Sequence, residues 1–183
     1  MLRKQGMKRS MARFDIVGQL GSLRRYARSL TRDSADAEDL VHDALARAYE
    51  RRSTFRSGGN LRAWLLAIVH NIFIDGVRAR RSEAARIKQA GQLADISTPA
   101  PQDHSVRLSQ LREAFLSLPE EQRSALHLVA IEGLSYAQAA EVSGVPLGTL
   151  MSRIGRARAA LREMEEGASA KARSHLRIVG DES

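Results

Sequence analysis

Residues 135–158 read SYAQAAEVSGVPLGTLMSRIGRAR, and they predict how the C-terminal part of the chain folds. Ser135 is a typical N-cap of a short helix, Gly144 permits a sharp turn after it, and Pro146 is well placed to start a second helix. A capped short helix, a glycine turn and a second helix together predict a helix-turn-helix.

The second of these helices has one apolar face and one face of small and basic residues. At about 100° per residue, one narrow sector holds Leu150, Ile154, Ala157 and Leu161, which we expect to face the core. The opposite sector and its flanks hold Gly148, Thr149, Met151, Ser152, Arg153, Gly155, Arg156, Arg158 and Ala159. Small residues allow close approach to a DNA groove and arginines donate to phosphates and base edges, so we favour DNA binding over a merely solvated helix.

Upstream of this motif the chain is also helical in its pattern, with apolar residues recurring at three- and four-residue steps. Ser34 is the cap candidate of one helix, and Asn60 is placed to cap another after the glycine-containing loop of residues 53–60. The predicted helices before the motif cover about residues 16–30, 34–52, 61–80, 106–118 and 119–131.

The stretch STPAPQD, residues 97–103, places two prolines among weakly hydrophobic residues and is typical of a linker. We therefore predict an all-α protein of two small helical domains joined by a flexible linker, the C-terminal one a helix-turn-helix. The predicted division is a basic polar tail at 1–13, a first domain at 14–86, the linker at 87–105, a second domain at 106–166 and a polar tail at 167–183.

The charge of the chain favours a nucleic-acid partner. The 183 residues carry 29 basic and 21 acidic side chains, a net charge of +8, and 25 of the basic residues are arginine. The planar fork of arginine suits phosphate oxygens and guanine edges. The excess lies in the first half, where residues 14–90 carry 14 basic and 9 acidic groups, whereas residues 108–183 carry 9 and 10.

The sequence lacks the features that several classes of function require. The chain has no cysteine, which excludes disulfides, a thiol nucleophile and a thiolate metal site. No apolar run approaches the ~20 residues of a membrane span and the basic start leads into no signal-peptide core, so we expect a cytoplasmic protein without membrane insertion. Catalytic motifs and metal-ligand spacing are missing, so we expect no enzyme, no catalytic residue, no metal and no cofactor.

Two long stretches resemble one family of transcription factors. Residues 117–162, SLPEEQRSALHLVAIEGLSYAQAAEVSGVPLGTLMSRIGRARAALR, resemble region four of the extracytoplasmic-function (ECF) sigma factors of bacterial RNA polymerase. Residues 36–75, DAEDLVHDALARAYERRSTFRSGGNLRAWLLAIVHNIFID, resemble their region two, in the family's order and with a linker between. The resemblance implies a protein that binds RNA polymerase core, directs initiation at specific promoters and is held inactive by an anti-sigma factor.

The resemblance implies a first set of residues that dock on the clamp helices of the polymerase's large subunit. It consists of Asp39, Leu40, Val41, Asp43 and Arg47. Leu40 and Val41 also lie on the predicted core stripe of their helix, so a structural role is equally open for them. Asp39 and Asp43 are four residues apart on one face of the predicted helix and are acidic within a basic half of the chain.

The second set is implied to capture a base flipped from the minus-ten promoter element and to hold the DNA beside it. It consists of Phe55, Arg56, Asn60, Arg62, Trp64, Asn71, Arg78, Arg80 and Arg81. Phe55 can support an extruded base, Asn71 offers a donor and an acceptor, and the arginines can bind phosphates. Trp64 can equally belong to the core, and the last three arginines can form a solvated helix end.

The third set is implied to read the minus-35 element from the helix-turn-helix. It consists of Thr149, Ser152, Arg153, Arg156 and Arg158. Met151 stands where the family usually has Lys or Arg, and Gly155 where a larger side chain is common. Because the second domain is nearly neutral, we expect it to bind promoter DNA weakly in the absence of polymerase core.

Two other functions remain as alternatives. A sigma-like decoy would bind an anti-sigma factor and never touch DNA, but it would have no use for the basic recognition helix. A stand-alone helix-turn-helix regulator would leave the region-two pattern unexplained.

Overall fold

The computed structural model describes residues 15–56, 58–89 and 106–178, with side chains described over 15–56, 58–86 and 109–166. Over these residues the chain is all helical and contains no strand, as the sequence predicted. The described part forms α1 (Leu20–Thr31), α2 (Ser34–Glu50), α3 (Leu61–Gln89), α4 (Val106–Ser117), α5 (Glu120–Ala130), α6 (Tyr136–Ser143) and α7 (Leu147–Ile178), with short 3-10 turns at Val17–Gln19 and Arg52–Thr54.

Two of the helices in the first half, residues 15–89, begin at side-chain caps. The carboxylate of Asp33 accepts hydrogen bonds from the backbone N–H groups of Ala35 and Asp36 at 2.7 and 3.0 Å, so the predicted cap Ser34 is wrong by one residue. Asp33 is extended (φ −112°, ψ 145°), which lets its side chain reach back over the first turn, whereas Ser34 is already helical. The predicted cap Asn60 is confirmed, since its Oδ1 accepts from the backbone N–H of Ala63 at 3.1 Å.

The helix-turn-helix predicted for the second half, residues 106–178, is confirmed. Ser135 and Gln138 form a capping box, with backbone-to-side-chain hydrogen bonds of 3.2 and 3.0 Å. Gly144 ends α6 at a φ of +63°, in the left-handed region that favours glycine. Leu150 and Ile154 of α7 are fully buried, so this helix is seated on its own domain and presents its opposite face outward.

The two halves pack against each other. α5 lies on α1, and α6 lies on α3. The buried apolar residues form one cluster that runs through both halves. The sequence predicted two helical domains and a linker, but not this contact between the domains.

Two helices continue beyond their predicted ends. α3 runs to Gln89 and not to about residue 80, and α7 runs to Ile178 through most of the predicted tail. The added segment of α7, GASAKARSHLRI, contains three alanines, two arginines and one lysine, residue types of high helix propensity. The predicted tail at 1–13, residues 90–105 of the predicted linker and residues 179–183 lie outside the described residues.

Candidate nucleic-acid interface

The loop between α2 and α3 forms one wall of a cavity of about 440 Å³, called here the loop cavity. The rings of Phe55 and Trp64 pack there with centroids 5.4 Å apart and planes at 57°. Gly58 has a φ of +92°, and a Cβ at Gly59 would lie 3.1 Å from the carbonyl oxygen of Arg56, so the loop backbone depends on both glycines. The predicted minus-ten residues that line this cavity are Phe55, Arg56, Asn60 and Trp64.

Asn71 lies in a different cavity, of about 870 Å³ between the two halves, called here the central cavity. It is seven residues after Trp64, so it lies on the same side of α3 but about 10 Å further along. The structure therefore does not bring Asn71 into the loop cavity. The arginines that line the central cavity from the first half are Arg47, Arg51, Arg78 and Arg81.

The predicted polymerase-binding residues divide into exposed and buried ones. Asp39 and Asp43 are exposed on successive turns of α2, beside a third cavity of about 520 Å³, and Arg47 is exposed one turn further. Leu40 and Val41 are only 7% and 3% exposed and belong to the core. In this conformation the accessible members of the set are therefore the charged ones.

The recognition helix α7 presents most of the predicted minus-35 residues to solvent: Thr149, Ser152, Arg156 and Arg158. Arg153 is different, because its side chain is only 19% exposed and its guanidinium lies 2.9 Å from the Glu121 carboxylate. The hydroxyl of Ser152 donates to the carbonyl oxygen of Thr149 at 2.9 Å. Arg153 must therefore leave a carboxylate before it can contact DNA.

The two departures from the family pattern both lie on this outward face. Met151 is 54% exposed. A Cβ added at Gly155 would meet no other atom within 4 Å, so nothing inside the protein requires glycine there. The outward face of α7 is consequently flatter and less basic than the family pattern implies.

Sequence reasoning missed two buried charges, Arg123 and Glu132, which are each 2% exposed. Arg123 donates to backbone carbonyls of α1, and Glu132 binds Ser22 and Arg25 of α1. Glu132 follows the C-terminal end of α5, where the helix dipole disfavours an acidic residue. That unfavourable placement was the signal in the sequence that a cationic partner lies nearby.

The surroundings of three polar side chains near α1 shift their pKa values. Burial, together with the charge of Arg153, lowers the pKa of His70 to about 4. Its Nδ1 lies 2.8 Å from the hydroxyl of Tyr26, whose pKa burial raises well above its usual value. Burial also raises the pKa of Glu132, but contacts with His127 and Ser22 and the charge of Arg25 outweigh it, so the pKa lies below its usual range.

Neither a membrane-spanning helix nor a metal-binding cluster is present among the described residues. None of the described helices combines the length and the apolarity that a membrane crossing requires. No cluster of three or more histidine or acidic side chains in the described part of the chain is placed to hold a metal ion.

Comparison with known families matches both halves. Residues 17–83 match the family described as Sigma-70 region 2, and residues 108–161 match the one described as Sigma-70, region 4. The ECF RNA polymerase sigma factor EcfG of Rhodopseudomonas palustris is 38% identical over 149 residues, covering 81% of this chain and 82% of that protein. The ECF sigma factor SigM of Mycobacterium tuberculosis is 36% identical over 143 residues, covering 78% of this chain and 70% of that protein.

Solved structures of similar fold also include sigma factors. The sigma factor RpoE from Bartonella quintana, solved in complex with the anti-sigma factor NepR, superposes with a TM-score of 0.68 at 31% identity, covering 88% of this chain and 98% of that chain. CnrH, solved with the cytosolic domain of CnrY, has a TM-score of 0.54 at 28% identity and covers 90% of each chain.

Proposed function

The chain belongs to the ECF family of RNA polymerase sigma factors, and we propose which of its surfaces bind polymerase, promoter DNA and a regulator. As a sigma factor it binds RNA polymerase core and directs transcription initiation at specific promoters. The observation that carries this function is the presence of both sigma regions, in order, on one chain. It works where the polymerase works, in the cytoplasm, and it needs no catalytic group, because the polymerase makes the bonds.

Polymerase core binds at the exposed acidic pair of α2. Asp39 and Asp43 offer two carboxylates on one face, with Arg47 beside them. Replacing both aspartates with arginine should abolish the complex with core polymerase, because it reverses the charge of that face while leaving the buried side of α2 intact. Gel filtration with purified core, together with circular dichroism of the free variant, measures both outcomes.

A matched control changes the charge by the same amount elsewhere. Glu163 and Glu166 are exposed near the end of the described side chains of α7, three residues apart. Their double replacement by arginine should leave core binding unchanged. If the control binds normally and the Asp39→Arg, Asp43→Arg variant also does, the acidic pair is not the docking surface.

Promoter DNA is read at two places. The loop cavity, with Phe55 and Trp64, takes the base that leaves the minus-ten stack, while α7 reads the minus-35 element through Arg156 and its exposed neighbours. Permanganate footprinting of holoenzyme tests the first assignment, since Phe55→Ala should permit closed-complex binding and impair strand opening. Normal opening by that variant would place the base-binding site elsewhere.

The regulator is an anti-sigma factor. The support is that two solved relatives, RpoE and CnrH, were captured with NepR and CnrY respectively, and both are similar to this chain over 88% or more of its length. The alternatives, a decoy that only binds an anti-sigma factor and a stand-alone helix-turn-helix regulator, predict no transcription by core polymerase in the presence of the chain. Promoter-dependent transcription by the reconstituted holoenzyme therefore separates the sigma factor from both alternatives.

A further inference from the structure

The second half of the chain covers the surface of the first half that we assign to minus-ten DNA. α6 forms the wall of the loop cavity opposite Phe55 and Trp64. In the central cavity, the start of α5 and Arg153 of α7 face Asn71 and its neighbouring arginines. Promoter DNA and the second half therefore compete for the same face of α3.

The covering surface is acidic where the covered surface is basic. Glu141 lines the loop cavity together with Arg56. Glu120 and Glu121 line the central cavity together with four arginines of the first half. Asp75 of the first half and Arg153, which pairs with Glu121, also line it, so acidic groups are in excess on the second half and basic groups on the first. Since the first half of the sequence also carries the excess of positive charge, the second half presents to it the same kind of charge that DNA would.

Glu132 is the first anchor between the halves. Its carboxylate accepts a hydrogen bond from the Ser22 hydroxyl, and Oε1 lies 3.2 Å from the Arg25 guanidinium. Its backbone carbonyl accepts from Arg62 at 3.2 Å. A hydroxyl and two arginines are also donors that bind a DNA phosphate, and Arg62 is one of the residues assigned to minus-ten DNA.

Arg123 is the second anchor. Its guanidinium donates to the carbonyl oxygens of Ser29 and Leu30, the latter at 3.2 Å. These carbonyls lie in the last turn of α1, where they have no partner within the helix and where the helix dipole favours a cation. Arg32 crosses in the opposite direction and donates to the carbonyl oxygen of Leu118 at 3.2 Å.

We propose that this packing is a self-inhibited state of the sigma factor, in which the second half occupies the DNA-reading face of the first with Glu132 in the place of a phosphate. The proposal rests on the proposed function, because it assigns that face to DNA. Water solvates the charged anchors when the halves separate, but opening also exposes the part of the apolar cluster that the halves share, so the free chain is mostly closed. Closure and minus-ten binding exclude each other, since both use Arg62.

The opening can be measured without polymerase. Because the chain lacks cysteine, Ala46→Cys on α2 and Leu111→Cys on α4, both exposed, permit specific spin labelling. Glu132→Lys, which sets a cation against Arg25, should lengthen and broaden the distance distribution between the labels. The charge swap Arg25→Glu with Glu132→Arg should restore it.

The swap keeps the net charge of the natural chain, so restoration reports the pairing itself and not total charge. Restoration also excludes misfolding as the cause of opening, and circular dichroism of each variant checks the helix content directly. The proposal is overturned if Glu132→Lys leaves the distance distribution between the labels unchanged. It is also overturned if the charge-swap variant keeps the longer, broader distribution of Glu132→Lys.

DNA binding by the free chain gives the second readout. With a fluorescein-labelled single strand of about 20 nucleotides, Glu132→Lys should bind about 10-fold more tightly than the natural chain, because a hydrogen-bonded charge pair no longer holds the face closed. The control Glu163→Lys makes the same charge change at an exposed site and should have a much smaller effect, and the swap should bind like the natural chain.

Equal affinity of Glu132→Lys and Glu163→Lys would refute self-inhibition. The two proposals fail separately, since neither measurement contains polymerase. Opening by Glu132→Lys, combined with a natural chain that supports no transcription by core polymerase, would overturn the proposed function and leave the closed state standing.

Discussion

Lowering the pH from about 7.5 to about 5.5 should cost the folded chain about 1 kcal/mol through one residue, His70. This side chain is 7% exposed, and burial together with the charge of Arg153 lowers its pKa from 6.5 to about 4. In the unfolded chain the imidazole takes up a proton below pH 6.5, whereas the folded chain resists protonation until pH 4 is approached. The contribution is therefore complete above the unfolded pKa and is lost as the pH falls.

The magnitude follows from the difference in proton binding. At pH 5.5, about one unit below the unfolded pKa and well above the folded one, the unfolded state gains about 1.4 kcal/mol from protonation of this group and the folded state almost nothing. Urea unfolding followed by circular dichroism at the two pH values measures the change in the free energy of unfolding. His70→Gln should shrink that change by about 1 kcal/mol, because glutamine does not titrate.

His42 supplies the matched control, since it is an exposed histidine on α2. His42→Gln makes the same replacement where no buried imidazole is lost, and its unfolding free energy is measured at the same two pH values. Contributions from all other groups are common to the three proteins and cancel in the comparison. If His70→Gln retains the full pH dependence, the burial of a neutral imidazole is not what makes this fold sensitive to mild acid.

Three further changes test the helix-turn-helix. Ser135→Ala removes the cap of α6 and should lower the free energy of unfolding by about 1 kcal/mol, measured by urea titration; no change would mean that the capping box with Gln138 contributes nothing. Ile154→Ala leaves a cavity under a side chain that is 1% exposed and should cost about 2–4 kcal/mol in the same measurement, and a loss below about 1 kcal/mol would show that the site collapses. Arg156→Ala should leave the free energy of unfolding unchanged. It should weaken holoenzyme binding to the minus-35 element by about 1–3 kcal/mol if Arg156 contacts a base, or weaken binding to all DNA sequences alike if it contacts a phosphate. Unchanged holoenzyme binding in a mobility-shift assay would show that Arg156 lies outside the interface.

The features that sequence predicts best here are the local ones. The capping box at Ser135 and the left-handed turn at Gly144 depend on neighbours within a few residues, so the residue types suffice to place them. The Ser34 prediction failed for an equally local reason. Asp33 and Ser34 are both good caps, and the choice between them depends on the backbone angle of one residue.

The contact between the halves could not be predicted in this way. Ser22 and Glu132 are 110 residues apart, and Arg123 is 94 residues from Ser29. Helical periodicity shows which face of a helix is buried, but it does not show which other helix covers that face. The same limit applies to Asn71, because its position along α3 places it in the central cavity and not in the loop cavity.

A closed state held by charged anchors sets a definite limit on the activity of the free protein. If closure is worth about 3 kcal/mol, about one molecule in 150 is open, and the apparent affinity for DNA falls by the same factor. Polymerase core recovers that loss if it binds the open form preferentially. Glu120 and Arg123 of the second half line the same cavity as Asp39 and Asp43, so closure covers part of the docking surface and core binding favours the open form. Self-inhibition of this size would suppress stray binding of a +8 chain to DNA without blocking assembly of the holoenzyme. An anti-sigma factor would then act on a chain that is already mostly closed, so it needs to hold only the small open fraction away from polymerase.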